Sequence, residues 1–258
     1  MQDALKKQQL EKIEENPQLL KLRVDILSLF PNYFTSPLNQ SMLKRARDKG
    51  IIEVNAVDIR DFAEGKHKQV DDRPYGGGPG MVLMPQPVTR AIRSVKGPRS
   101  HTIYLSPQGK ILDAQKCRQL ADFEHLILVA GHYEGIDERV IESEIDEEIS
   151  IGDYVLTSGC LPALVLLDAV VRFVSGVIGD SEAAQQDSFE CGIFDHPHYT
   201  RPEEFEGKAV PEVLKSGDHK KIEQWRKCQA ELKTKKVRPD LYKSYKEKVA
   251  DRTYAERD

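Results

Sequence analysis

Short apolar runs alternate with amphipathic stretches along residues 24–174, and the two patterns have different periods. Short apolar runs predict strands, whereas apolar residues at every third or fourth position predict helices. The predicted strands are residues 24–30, 51–59, 102–105, 125–130 and 149–156. The predicted helices are residues 41–48, 86–95, 114–121 and 137–145, with Asp113 as an N-cap. This alternation predicts an α/β fold whose parallel sheet is covered on both faces.

A longer apolar helix is predicted after the last strand. It begins at Leu161, where Pro162 suits the first helical turn, and continues to about Phe173. Residues 161–174 are apolar almost all round, so we expect one side to pack on the sheet and the other on a partner chain. Residues 181–186 are small and polar like a linker, and residues 210–248 are predicted to be helical, polar and basic.

Composition narrows the class of protein. A chain of 258 residues suits one large or two modest domains. No apolar run of membrane-spanning length is free of charge, and the N-terminus lacks the apolar core of a signal peptide, so we expect no membrane association. Cys117, Cys160, Cys191 and Cys228 are scattered without a C-x-x-C pair, which favours free thiols in a reducing cytoplasm over disulfides or a zinc site.

The net charge of −4 hides an asymmetry. Residues 134–153 carry nine acidic side chains and one basic one, whereas residues 220–248 carry eleven basic and four acidic side chains. A basic segment of this kind attracts the phosphate backbone of nucleic acids. The alternative is an ordinary solvated helical face.

Two glycine-bearing turns within residues 131–159 are the strongest indication of function. The sequences GHYEG at 131–135 and IGDY at 151–154 each follow a short apolar run. Glycine lets the backbone approach a ligand closely, and strand ends of open α/β sheets form pockets. We therefore expect a ligand site here, with His132 as a lining residue. The alternative is a pair of ordinary strand-to-helix turns.

Two other motifs are weaker. The glycine cluster at 76–80 lacks the G-K-[ST] ending of a phosphate loop and is not a dinucleotide-binding G-x-G-x-x-G turn. Asp72 and Tyr75 before it favour a loop that faces a substrate over a plain surface loop. His196 and His198 have no further Cys or His at ligand spacing, which favours a structural role over a metal site.

Several segments together resemble the bacterial TrmD-type tRNA (guanine-N1)-methyltransferases. They are DDRPYGGGPGM at 71–81, IYLSPQG at 103–109, GHYEGIDER at 131–139, DEEISIGDYVL at 146–156, DSF at 187–189 and HYTRP at 198–202. The resemblance runs from about Val24 to the low 240s. It implies a SPOUT-type parallel sheet with a deep trefoil knot, a topology too rare to infer from periodicity, and a small C-terminal helical domain.

The resemblance also implies an organisation in four parts. Residues 1–23 are a charged N-terminal extension without a counterpart in the family, either helical or disordered. Residues 24–178 form the knotted domain that binds S-adenosylmethionine, and residues 179–191 form an interdomain linker that carries the general base. Residues 192–258 form the helical tRNA-binding domain.

The implied reaction transfers a methyl group from S-adenosylmethionine to N1 of the guanosine 3′-adjacent to the tRNA anticodon, position thirty-seven. Backbone groups of glycine turns can read the adenine edge, and apolar side chains can sandwich its face. The implied cofactor-binding residues are Tyr104, Leu105, Ser106, Gly131, Tyr133, Glu134, Gly135, Ile151, Gly152, Tyr154, Leu156, Gly159 and Pro162.

Asp187 matches the general base of the family, and Arg172 matches the arginine that stabilises charge on the base. From the residues alone, Asp187 is also a candidate N-cap for a helix over 188–192, and Arg172 a candidate ion-pair partner of Asp168 four residues earlier. The implied substrate-binding residues are Asp72, Tyr75, Asp195 and His198. Glu134 and Asp195 are candidate ligands for Mg²⁺.

The expected assembly is a homodimer whose active sites are shared between protomers, with tRNA as the partner. The alternatives are a knotted methyltransferase that acts on another RNA and a non-catalytic RNA-binding protein. Ser158 and Cys160 depart from a glycine and a glutamate that are usual in the family, and Ala183 stands where a serine is usual. Ser158 adds a side chain beside the expected cofactor path.

Overall fold

The computed structural model describes residues 20–178 and 187–255. The chain divides into two compact units, residues 1–179 and residues 180–258. Most of the expected N-terminal extension, the first part of the expected linker and Ala183 lie outside the described residues.

The described part of the first unit follows the alternation expected from the sequence. In chain order its elements are β1 (Leu22–Ser28), α1 (Thr35–Leu38), α2 (Ser41–Asp48), β2 (Ile52–Asp58), β3 (Asp71–Asp72), β4 (Val82–Leu83), α3 (Pro85–Val95), β5 (Ser100–Ile111), α4 (Ala114–Ala121), β6 (His125–Val129), α5 (Glu138–Glu144), β7 (Glu147–Ser150) and α6 (Cys160–Val171). Two 3₁₀ turns cover Pro31–Phe34 and Ile59–Phe62.

Five of these strands form one parallel sheet in the order β2-β1-β6-β5-β7, so the α/β parallel architecture is confirmed. The period of two along each strand separates two apolar cores. On β1, Val24 and Ile26 face the core that contains α6, whereas Leu27 faces the core that contains α3. Because these strands are parallel neighbours, the carboxyl ends of β6 and β7 lie beside residues 104 and 105 of β5, at the edge where such sheets bind ligands.

Several expected bounds differ from those observed, beginning with β1, which was expected at 24–30 and is found at 22–28. The strand expected at 149–156 is β7 at 147–150, because the backbone of Gly152 has φ +150° and residues 151–156 turn away as a loop. The helix expected from Leu161 to about Phe173 is α6 at 160–171, with Pro162 in its first turn as expected. β5 extends to Ile111 and shifts register against β7 between Leu105 and Lys110.

The second unit contains a short hairpin and helices in its described part. β8 (Glu204–Phe205) pairs with β9 (Lys208–Ala209), and three helices follow: α7 (Glu212–Lys215), α8 (His219–Val237) and α9 (Pro239–Ala255). Lys246 on α9 forms an ion pair of 2.9 Å with Glu231 on α8. In the described ranges, no helix has the length and apolar character needed to cross a membrane.

A buried polar network joins residues from four neighbouring strands, β2, β1, β6 and β5. Asp25 is 1% exposed, and its carboxylate lies 2.8 Å from both Arg23 and His125 and 3.1 Å from the amide nitrogen of Asn55. The other ring nitrogen of His125 lies 2.7 Å from the hydroxyl of Ser100. Burial raises the pKa of Asp25, but the hydrogen bond with His125 and the charge of Arg23 outweigh it and hold this pKa below its ordinary value.

We predict that Asp25→Ala lowers the free energy of unfolding by roughly 3 kcal/mol at neutral pH, because it leaves buried partners uncompensated. Asp61→Ala is the matched control: Asp61 is exposed and pairs with Lys68 at 2.8 Å, so its loss should cost less than about 1 kcal/mol. Since folding lowers the pKa of Asp25, its contribution is complete above the unfolded-state pKa and is lost as pH falls through the folded-state pKa. Urea unfolding across this acidic range should show the Asp25→Ala difference shrinking; equal effects of the two substitutions would contradict the prediction.

Candidate active site

A pocket of about 260 Å³ opens where β6 and β7 end, beside residues 104–107 of β5. All of the cofactor-binding residues implied by the motifs line it: Tyr104, Leu105, Ser106, Gly131, Tyr133, Glu134, Gly135, Ile151, Gly152, Tyr154, Leu156, Gly159 and Pro162. The structure therefore brings together three segments that are separated in sequence. It also adds Pro107, Ile149, Ser150, Val155, Thr157 and Ser158, as well as the expected His132.

Tyr104, the last residue of β5 that pairs with β6, supports one wall of the pocket. Its side chain is 6% exposed and packs beneath the turn at 131–135. A Cβ atom added at Gly131 would lie 2.9 Å from the Tyr104 ring and 3.0 Å from its hydroxyl oxygen. Burial raises the pKa of Tyr104 to about 12, so the hydroxyl stays protonated at neutral pH. The Tyr104 ring thus limits how closely the turn at 131–135 can approach the sheet.

The same turn is bonded to the glycine-rich loop that the sequence assigns to the substrate side. The backbone N–H of Glu134 donates to the carbonyl of Met81 at 3.0 Å. The N–H of Leu83 donates to Gly135 at 2.9 Å, and the N–H of Asp137 donates to Leu83 at 3.0 Å. These bonds attach the end of the loop at 73–81 to the pocket wall. Tyr75 within that loop is fully exposed, and Asp72, the residue before the loop, is also exposed.

The loop after β7 forms the opposite wall. The hydroxyl of Ser150 accepts the N–H of Gly152 at 3.2 Å and donates to the carbonyl of the same residue at 3.0 Å. Gly152 has φ +150°, a conformation that side-chain-bearing residues rarely adopt, and an added Cβ would lie 2.5 Å from the Tyr154 ring. The glycine therefore allows the tyrosine ring to fold back over the loop.

The start of α6 closes the pocket against the turn at 131–135. The N–H of Gly159 donates to the carbonyl of Gly131 at 2.8 Å, and residues 132 and 158 form an antiparallel bridge. A Cβ at Gly159 would lie 2.7 Å from the backbone nitrogen of Gly131 and 2.8 Å from the Cα of Ala130. Both neighbours are backbone atoms that cannot rotate away. The close approach therefore requires glycine at 159 whatever its φ.

The two departures from the family motif have local roles here. The hydroxyl of Ser158 accepts the backbone N–H of Cys160 at 3.3 Å and so engages the start of α6. The Cys160 thiol is buried and lies 3.3 Å from the hydroxyl of Ser28 in the sheet. Ser158 contributes to the pocket lining, whereas the pocket wall does not include Cys160. The Ser158 side chain thus lines the pocket while its hydroxyl is hydrogen-bonded.

Arg172 follows α6 immediately and is exposed. Asp168 is exposed one turn earlier. Both hypotheses for Arg172, the helical pair with Asp168 and the role toward the substrate, stay predictions.

Asp187 lies in the second unit at the first position of a turn. Its carbonyl accepts the N–H of Glu190 at 3.3 Å, and residues 188–192 form turns rather than a helix, so the alternative of an N-cap is wrong. The next residue, Ser188, accepts the backbone N–H of Asp195 at 2.9 Å. This bond brings the DSF segment to the segment that begins at Asp195.

Asp195 and His198, both implied substrate-binding residues, are hydrogen-bonded at 2.7 Å. Partial burial raises the pKa of Asp195, but the His198 bond and the backbone N–H of His196 outweigh it, so the pKa lies below its ordinary value. His198 is 72% exposed and is thus oriented by the carboxylate while remaining accessible. The ligand atoms of Asp195, His196 and His198 lie within 4.8 Å of one another. Glu134, the other candidate Mg²⁺ ligand, belongs to the first unit.

Comparison with known proteins gives one consistent result. A family model described as "tRNA (Guanine-1)-methyltransferase TrmD" matches residues 22–244. A relative from Protochlamydia amoebophila, named tRNA (guanine-N(1)-)-methyltransferase, is 63% identical over 218 residues, which cover 84% of this chain and 98% of that protein. Relatives of the same name from Chlamydia pneumoniae and Chlamydia trachomatis serovar D are 60% and 57% identical over 224 residues. These residues cover 87% of this chain but only 62% and 63% of the two chlamydial proteins.

Proposed function

Because the chain belongs to the TrmD family of tRNA (guanine-1)-methyltransferases, we propose that it transfers a methyl group from S-adenosylmethionine to N1 of a guanosine in tRNA. We assign the target to the guanosine 3′-adjacent to the anticodon, position thirty-seven. The observation that carries the proposal is the pocket, because every cofactor-binding residue implied by the motifs lines it. The family itself, expected from the motifs alone, is confirmed.

The pocket has the chemistry that S-adenosylmethionine requires. Its volume of about 260 Å³ approaches the lower end of small-molecule pockets, roughly 300 Å³ and above. Leu105, Ile151 and Leu156 supply apolar surface for a flat adenine ring. The turn at 131–135 and the loop after β7 present backbone donors and acceptors at their edges, because glycine leaves them uncovered. When bound, S-adenosylmethionine supplies the methyl group on a positively charged sulfur.

The protein's own part in the reaction is positioning, proton removal and charge stabilisation. N1 of guanine carries a proton that has to leave as the new N–C bond forms. We assign its removal to the carboxylate of Asp187, as a general base. Negative charge then builds on O6, and we assign its stabilisation to the guanidinium of Arg172. Asp72, Tyr75, Asp195 and His198 are proposed to hold the target nucleotide, which has to leave its stack.

Glu134 and Asp195 remain candidate Mg²⁺ ligands, since carboxylate oxygens are what this ion prefers. The group formed by Asp195, His196 and His198 offers one carboxylate and two imidazoles, a donor set less suited to Mg²⁺. Mg²⁺ at Asp195 would therefore depend on that carboxylate and on water or RNA oxygens.

The second unit supports binding of tRNA. Lys233, Lys235 and Lys236 are exposed on α8, and Lys243 and Lys246 lie on α9. Exposed lysines attract phosphates with an affinity that falls as salt rises. Exposure alone also fits an ordinary solvated face, and the family membership of residues 22–244 favours RNA contact.

We also propose the trefoil knot and a homodimer with shared active sites. The return of the chain to Gly131 after β7, through the bond from Gly159, supports a threaded loop at this position. Leu161 and Val165 on α6 are 45% and 46% exposed, on the side opposite the sheet core. Apolar side chains on one exposed helix face favour coverage by a second protomer. The free cysteines agree with a reducing cytoplasm as the location.

The two alternative functions differ in their products. A knotted methyltransferase with another RNA target would label that RNA in preference to tRNA, and a non-catalytic RNA-binding protein would label neither. We expect incubation with labelled S-adenosylmethionine and unmodified tRNA transcripts to give one N1-methylated guanosine next to the anticodon. Mapping the label elsewhere, or finding it only in ribosomal RNA, would overturn the proposed target.

Asp187→Asn in the same assay should reduce single-turnover methylation about 10²–10⁴-fold, because it keeps the size of the side chain and removes its basicity. Binding of S-adenosylmethionine should be nearly unchanged. Asp240→Asn is the control in the same unit, since Asp240 is exposed and paired with Arg238 at 2.7 Å. If Asp187→Asn methylates within a few-fold of the wild type, another group removes the proton.

Gly152→Leu should abolish binding of S-adenosylmethionine, because any side chain at this position displaces Tyr154 and enters the pocket wall. Gly65→Leu is the matched control: Gly65 also has positive φ, but no atom lies within 4 Å of an added Cβ. Both substitutions place a side chain at a positive φ, and only Gly152 lies in the pocket wall. Calorimetry that finds normal affinity in a folded Gly152→Leu protein would remove the cofactor from this pocket.

Mixing Gly152→Leu with Asp187→Asn protein tests the shared site. If each site combines the pocket of one protomer with Asp187 of the other, a heterodimer has one site with both defects and one intact site. Activity should therefore reappear when subunits exchange. Heterodimers that form, as shown by differential tagging, yet remain as inactive as the parents would mean that each site is built within one chain.

A further inference from the structure

A second, open cleft of about 350 Å³ lies between α3 and α5 in the first unit. Its polar lining consists of Arg90, Arg93, Arg139, Gln86, Thr89 and Ser143, and we call it the arginine cleft. Neither the motifs nor the proposed chemistry gives a role to these side chains. Three guanidinium groups in one cleft are the feature that requires explanation.

Each arginine is held along one edge by a carboxylate. Arg90 donates to Glu64 at 2.6 Å, and Arg93 donates through Nε to Glu144 at 2.8 Å. Arg139 makes a two-pronged contact with Asp137, at 2.8 Å through Nε and 2.7 Å through Nη2. A guanidinium carries five N–H donors in a rigid fork. The carboxylates therefore orient each fork while other donors of the same group remain available.

The three arginines are accessible despite these contacts. Their side chains are 48%, 67% and 69% exposed for Arg90, Arg93 and Arg139. Thr89 and Gln86 add a hydroxyl and an amide from the same face of α3. The lining thus offers several oriented donors to one ligand, which suits an oxyanion with more than one acceptor oxygen.

The two helices that form the cleft begin beside the proposed site of transfer. α3 begins two residues after the end of β4, which follows the glycine-rich loop, and α5 begins just after the turn at 131–135. The bonds from Leu83 to Gly135 and from Asp137 to Leu83 fix these two helix starts together. An RNA whose target nucleotide reaches the cofactor at this edge would extend its backbone along the surface that α3 and α5 border.

We propose that the arginine cleft binds a backbone phosphate of the substrate RNA near the target nucleotide. The proposal rests on the proposed function, since it takes RNA as the substrate. Phosphate fits better than a carboxylate ligand because three forks from two helices can share its several oxygens. The carboxylates cancel most of the long-range charge of the arginines. The cleft would therefore position the RNA strand by oriented contacts rather than attract it from a distance.

The competing explanation is purely structural, with the arginines only joining α3 to α5. Arg93 does have that function, because Glu144 is 6% exposed and needs its cation. Arg90 and Arg139 pair instead with Glu64, which is 78% exposed, and with Asp137, a neighbour on the same segment. These two are therefore the residues whose removal separates the explanations.

The test compares Arg90→Gln/Arg139→Gln with Arg99→Gln. Arg99 is 75% exposed and pairs with Glu124 at 2.5 Å, so it matches the pair at Arg90 but lies outside the cleft. Affinity for an unmodified tRNA transcript is measured against salt concentration. We expect the double variant to bind several-fold more weakly and to lose about one unit of the log–log salt slope for each phosphate contact removed. Arg99→Gln should leave both quantities unchanged.

Three outcomes overturn the proposal in different ways. A wild-type slope and affinity in the folded double variant mean that the cleft contacts no phosphate, while the proposed function stands if the same preparation methylates tRNA. Equal losses in the double variant and in Arg99→Gln mean a diffuse charge effect rather than a site. Absence of tRNA binding by the wild type overturns the proposed function together with the cleft.

Discussion

The close contact between Gly131 and Gly159 is the constraint on which the rest of the first unit depends. One backbone hydrogen bond of 2.8 Å joins the end of β6 to the start of α6, and a single Cβ at 159 would lie 2.7 Å from the Gly131 nitrogen. The turn at 131–135 also carries the glycine-rich loop through its bonds to Met81 and Leu83. Shifting this contact would therefore move the pocket wall, the loop and the apolar helix at once.

Much of this arrangement can be predicted from the sequence, and the reason is local. The helices at 41–48 and 114–121 have the expected bounds, and the side chain of Asp113 caps the second of them. The pocket lining also follows the glycine turns, because strand ends of a parallel sheet meet at one edge. The strand predicted at 149–156 is wrong in its second half, because the apolar residues Val155 and Leu156 belong to a loop. Their side chains are 81% and 38% exposed.

Other features depend on packing between distant segments and leave no local pattern. The strands β3 and β4 have two residues each and exist because the glycine-rich loop folds back on itself. The arginine cleft requires α3 to pack beside α5, which brings Arg90 close to Arg139 across about fifty positions of sequence that show no shared motif. The buried network around Asp25 joins residues from four strands, and the alternation of apolar and polar residues along each strand does not indicate it.

The overall charge of −4 is a poor guide to whether such a protein binds a polyanion. Exposed charges are screened beyond about 8–10 Å at physiological salt, so a phosphate responds to its nearest side chains rather than to the sum over the chain. Here the acidic stretch at 134–153 supplies partners that orient arginines, as Asp137 and Glu144 do, while the exposed lysines of α8 and α9 have few acidic neighbours in sequence. Attraction and positioning thus require different surroundings. A lysine-rich surface suits attraction because its electrostatic field extends into solvent. Arginines held by carboxylates suit positioning because their geometry is already set.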